Sequence, residues 1–166
     1  DFKYNAEKFF DWSKKAHELG SAYGTFNLAY AYEDGIGVIS DWRKATDLYT
    51  EAHENGNKDA SLRLAEIYAY GDLGSEKDLN KAKQIWSQKK SEGIENAWLD
   101  EAIFYLNNAN NPQELVDAMM DLDRLEKLGW QHAKSELAFL NLMPENYKFS
   151  DTELVRPLLS ISRGVS

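Results

Sequence analysis

The sequence has no cysteine. That removes disulfides, thiolate nucleophiles and cysteine-ligated zinc, and leaves the redox compartment open. Positive charge is in deficit: 19 Lys and Arg stand against 28 Asp and Glu, a formal net charge of -9 and a pI near 4.8. This is the wrong sign for neutralising phosphates, so nucleic acid and anionic membrane are not expected partners. No stretch approaches the roughly 18 apolar residues of a membrane span, so direct membrane insertion is not expected either. The chain opens at Asp1 with no secretory leader, as expected of a processed or excised piece, and secretion stays open.

Histidine is scarce too, at three residues. His17 and His53 each follow an alanine, Ala16 and Ala52, and read as equivalent positions of a repeat; His132 stands alone. Without an HExxH pair, neither a metal nor another cofactor is expected. No serine sits in a G-x-S-x-G elbow, and Asp121, Asp123 and Glu126 read as the solvated side of one helix. Trp42, Trp98 and Trp130 are the tryptophans left over as candidates for a sugar-binding surface.

What the chain does have is a period. Gly20, Gly56, Gly93, Gly129 and Gly164 recur at intervals of 36, 37, 36 and 35 residues. Small residues follow in register: Gly24, Ala60, Ala97 and Ala133, then Ala29, Ala65, Ala102 and Ala138. Tyr32, Tyr68 and Tyr105 share a position that fades to Asn141, and Leu28, Leu64 and Leu137 share one that Glu101 breaks. Later in each unit Lys44 and Ala45 align with Lys81 and Ala82, and Leu48 and Tyr49 with Ile85 and Trp86. Asn5, Phe9, Trp12 and Ala16 make a partial first copy.

Apolar and small residues at spacings of three and four predict two amphipathic helices per unit. First helices are expected near 21–33, 58–70, 95–107 and 131–142. Second helices are expected near 4–18, 41–54, 78–91, 112–127 and 151–162, with Pro157 bending or shortening the last. The expected fold is all-α, an α/α superhelical solenoid of about four helix-turn-helix repeats in a single domain spanning 1–166. The partial repeat is 1–20, and full repeats span 21–56, 57–93, 94–129 and 130–164.

The glycine pair in YEDGIGVISDWRKA, residues 32–45, reads as a turn within a hairpin rather than a phosphate cradle. A helix precedes it where a cradle needs a strand, and Ser40 stands where the third glycine of GxGxxG would fall. Gly35 or Gly37 is expected to supply the positive φ that ends the helix. Asp41 and Asp78 are expected to cap the following helices, as Asn111 with Pro112 does later.

The stretch LAYAYEDGIGVISDWRKATDLYTEAHENGN and the weaker ASLRLAEIYAYGDLG with KDLNKAKQIW resemble the Sel-one-like repeat family, relatives of the tetratricopeptide repeats. The motif is fullest over 22–56, moderate over 58–93 and lost beyond, where NNANNP replaces the glycine turn and Asp117-Ala118 the Lys-Ala pair. The resemblance implies a non-enzymatic protein-interaction scaffold or adaptor, with an envelope immunity-type protein that neutralises a toxin or effector as the alternative. A secretory lumen, periplasm or secreted location is implied ahead of the cytoplasm.

By the register of related stacks, the face implied for a protein partner comprises Tyr23, Phe26, Tyr30, Glu33, Asp59, Leu62, Glu66, Leu99 and Ile103, with Asn96, His132, Ser135 and Phe139 on its continuation. An apolar strip bordered by carboxylates suits an apolar anchor carrying a basic rim. The same residues also fit plain core packing, and the acidic surplus also fits a merely solvated face.

Overall fold

The computed structural model describes residues 2–131 and 133–135. Among them are seven helices: α1 (Phe2–Glu18), α2 (Ala22–Asp34), α3 (Trp42–Glu54), α4 (Lys58–Tyr70), α5 (Leu79–Ser91), α6 (Asn96–Asn108) and α7 (Pro112–Lys127). Residues 131 and 133–135 are helical as well. The expected helix over 151–162, the remainder of the one over 131–142, and Gly164 lie outside the described residues.

The chain divides into two compact units, Asp1–Ile94 and Glu95–Ser166. The division falls at a join between repeats. In the first unit each helix from α1 to α5 packs on its neighbour in sequence, and in the second α6 packs on α7.

Helix ends are set by side chains that replace missing backbone partners. The carboxylates of Asp41 and Asp78 accept from the amides of Lys44 at 3.0 Å and Lys81 at 3.1 Å, and the Asn111 side chain accepts from Glu114, with Pro112 pre-set in the first turn. The repeat glycines close the other ends. Ser21, Asn57, Ile94 and Trp130 each donate a backbone N–H to a carbonyl five residues back, at 3.0, 2.9, 2.9 and 3.0 Å, the closure that a left-handed residue after a helix permits. Gly20, Gly56, Gly93 and Gly129 supply that residue, with φ between 78 and 90°.

The two glycines of the GIG turn do different jobs. Gly35 (φ 70°) is the residue at which α2 ends. Gly37 also has a positive φ, and a Cβ there would lie 2.3 Å from the carbonyl oxygen of Ala6, so it lets the loop rest on the backbone of α1. Gly24 likewise allows α2 to approach α1: a Cβ would meet that of Ala16 at 2.4 Å. The backbone N–H of Asp41 then returns to the Tyr32 carbonyl at 2.9 Å, and Asp78 repeats this bond with Tyr68 at 2.8 Å.

The core of the first unit follows the period. Leu28, Ala29, Ala45, Leu48, Tyr49, Ala52, Ala60 and Ile67 form one buried cluster, with Phe10, Phe26, Tyr32 and Leu73 packed against it. The alanines at 29, 65 and 102 are buried throughout, as are Tyr49 and Trp86 at their shared position. Each small side chain brings a neighbouring helix close, and each large one fills the space left between helices. In the second unit α6 buries Ala97, Leu99, Ala102, Phe104 and Tyr105, and α7 buries Leu115, Val116, Met119, Leu122 and Leu125.

Candidate functional site

Seven of the expected partner residues fall in the first unit, four on α2 and three on α4. Tyr23 is 61% exposed and Tyr30 is exposed, while Phe26 is half-buried between Tyr23 and Tyr49, with ring centroids 6.1 and 5.7 Å away. Leu62 is only 8% exposed. It packs inward and does not extend the apolar strip.

Between α2 and α4 lies a residue the periodicity did not single out, Arg63. Its Nε donates to both Glu33 oxygens at 3.1 and 3.3 Å, and its Nη2 also pairs with Glu33. The same guanidinium reaches Glu66 at 3.0 Å and Asp72 at 3.0 Å. Glu33 in turn accepts from the Tyr49 hydroxyl at 2.6 Å. Three carboxylates surround one cation, and together with Asp34 and Asp59 the face keeps a negative balance. A planar guanidinium with five donors can serve several carboxylates at once, which an ammonium could not do with this geometry.

The titration behaviour follows from these contacts. Burial and the Glu33 hydrogen bond push the Tyr49 phenol far above its ordinary range. A hydrogen bond to Asp34, with the charge of that carboxylate, raises Tyr30. The backbone N–H of Leu73, followed by Arg63, holds Asp72 below the usual carboxylate value. Glu33 and Glu66 are thus committed to Arg63, whereas Asp34 is exposed beside Tyr30 and Asp59 is half-buried.

The model of the Sel1 repeat matches residues 22–57 and 58–88, the two hairpins that build this face. The chain carries two Sel1 repeats. Its structure is similar to that of a Sel1 repeat protein from Oxalobacter formigenes, with a TM-score of 0.59 at 20% identity, covering 95% of this chain and 79% of that one. It is also similar to a protective antigen with an SLR fold present in uropathogenic Escherichia coli strains, with a TM-score of 0.63 at 24% identity over 94% of this chain. This chain spans 33% of that antigen's length. At these identities the likeness is one of fold, and it agrees with helices packed in sequential pairs.

His17 and His53 are equivalent in structure as well as in sequence. Nδ1 of His17 lies 3.0 Å from the Thr25 hydroxyl, and Nδ1 of His53 lies 2.8 Å from that of Ser61. Each hydroxyl donates its own proton to a backbone carbonyl, that of Ser21 or Asn57. It therefore accepts from the imidazole, which places the proton on Nδ1 in both rings. These histidines tie one hairpin to the next.

The other expected candidates are dispersed. Leu99 is 7% exposed, and Ile103 is half-buried on α6 in the second unit; Asn96 and Ser135 are exposed there, while His132 and Phe139 lie outside the described residues. Trp98 carries the Arg124 guanidinium 4.8 Å from its ring centroid, and Trp130 donates to Glu95 at 2.8 Å. Asp123 pairs with Lys127 at 2.5 Å on the solvent-facing side of α7. Among the described residues no three His, Asp or Glu side chains gather as a metal set, and no helix is long and apolar enough to cross a membrane.

Proposed function

We propose that the chain is a non-enzymatic protein-interaction module whose α2–α4 face takes a basic segment of a protein partner carrying an apolar anchor. The observation that carries this reading is the chemistry of the face: exposed Tyr23 and Tyr30 rings beside half-buried Phe26, in a field of carboxylates whose central cation, Arg63, is already paired. An aromatic platform gives contact area at low entropic cost, and exposed Asp34, with half-buried Asp59, steers a cationic partner toward it. Sel1 repeats generally mediate protein interactions, which agrees with the absence of a triad or paired-acid motif in the sequence.

The test is retention of a partner from source-cell extract on immobilised wild type and on a Tyr30→Ala, Asp59→Lys variant with unchanged helical circular dichroism. A specific partner is expected to be lost from the variant. Its association rate with the wild type is expected to fall severalfold as salt rises from 50 to 300 mM, because Debye screening shortens over that range. Equal retention by both proteins would remove the α2–α4 face from the reading.

A further inference from the structure

A second surface of the first unit has the opposite chemistry. Where the α2–α3 turn meets the α4–α5 turn, an open cleft of about 640 Å³ is lined by Tyr32, Ile39, Trp42, Arg43, Lys44 and Leu73 among others. Its size falls within the roughly 300–1,000 Å³ of ligand-holding pockets. Ile39 is 88% and Trp42 58% exposed, while Leu73 packs against the core behind them. Leu73 also has a positive φ of 50°, the one non-glycine residue among those described to do so. Its backbone N–H is held by the Asp72 carboxylate at 2.9 Å, so this wall is fixed in a conformation that a branched side chain disfavours.

The charges are equally specific. In a chain of net charge -9, the charged lining is Asp41, Arg43 and Lys44, and the Asp41 carboxylate already caps α3. Lys44 stands 4.3 Å from the Tyr32 ring centroid, an arrangement repeated by Lys81 over Tyr68 at 4.9 Å, so it belongs to the repeat. Trp42 and Arg43 do not. The matching residues after Asp78 are Leu79 and Asn80, which build the same cap and helix start with neither an indole nor a cation. Neither the cap nor the helix start calls for this exposed pair.

We propose that this cleft binds a short acidic peptide segment bearing one large apolar side chain, seated against Ile39, Trp42 and Leu73, with its carboxylates beside Arg43 and Lys44. An indole next to a cation offers an apolar body and a charge-assisted donor together. The α2–α4 face, being acidic, would repel the same segment, so the two surfaces select opposite ligands.

The test pans the immobilised chain against a displayed library of randomised heptapeptides, then measures recovered peptides by fluorescence anisotropy at 50 mM salt. Peptides with Asp or Glu around an aromatic or leucine are expected. Trp42→Ala and Arg43→Glu should each weaken them at least tenfold, with helical circular dichroism and melting temperature unchanged because both side chains are exposed. Failure to enrich acidic peptides, or acidic peptides held equally by both variants, overturns the proposal. Basic peptides weakened by Tyr30→Ala instead would support the α2–α4 face alone. Concentration-dependent self-association abolished by Trp42→Ala would overturn the peptide in favour of a second copy of this chain.

Discussion

Arg63 and Glu33 lie on different helices and meet through two guanidinium nitrogens, Nε at 3.1 Å and Nη2, with the Glu33 side chain only 13% exposed. The pair joins consecutive repeats from outside the apolar core. Because Glu33 also accepts from Tyr49, removing the cation leaves a poorly solvated carboxylate without its main partner.

Arg63→Ala is therefore expected to cost about 2 kcal/mol, below the 3–5 kcal/mol of a fully buried pair because both groups retain some solvent. Glu33→Gln should cost less, since it keeps an acceptor for Tyr49, and the double variant should be more stable than the sum of the two losses predicts. Urea unfolding of the four proteins measures the coupling. Additive losses would show the ion pair to be energetically idle.

His53 gives the acid limit of stability. Burial, then the nearby Lys89 ammonium, lower its pKa below the ordinary imidazole value, with Glu54 and Glu92 opposing. The unfolded chain then binds the proton more readily than the folded one, so this contribution is fully present above about pH 6.5 and is lost as pH falls toward the folded value. The urea midpoint is expected to drop between pH 7 and 5, and His53→Gln should flatten that slope. A slope unchanged by the substitution would assign the acid sensitivity to carboxylates instead.

The glycines separate conformational from steric demand. Gly20→Ala meets nothing within 4 Å and only forces an L side chain to φ 78°, which costs about 1 kcal/mol. Gly37→Ala adds a contact at 2.3 Å with a backbone oxygen of α1, and its loss should exceed that of Gly20→Ala by about 1–3 kcal/mol, the range for overpacking. Thermal melts of the two variants side by side check the order. Equal melting temperatures would mean that the loop shifts off α1 without penalty.

The helix ends were legible because they are written locally. Asp41, Asp78 and the Asn111-Pro112 pair cap where expected, and boundaries agree within about two residues for every helix from α1 to α7. The roles of Gly35 and Gly37 were not separable from spacing, since one is set by the chain itself and the other by Ala6 of a distant helix. Whether Leu62 and Leu99 line a face or fill the core was left open, because apolar residues at helical spacing do not reveal which way they face; both are buried. Arg63 left no trace in the period because nothing matching it recurs. Its signal was the run of carboxylates at 33, 66 and 72 needing a cation, and that depends on neighbours brought together only by the fold.

The backbone closures at Gly20, Gly56, Gly93 and Gly129, with the side-chain caps at Asp41, Asp78 and Asn111, satisfy helix ends within each hairpin or at its join to the next. Such an array can lengthen or shorten by gene duplication and deletion in whole periods without stranding a polar group at the seam. Each duplicate inherits a sound scaffold, and an exposed position such as 42 can carry tryptophan where its counterpart 79 carries leucine while the stack around it holds.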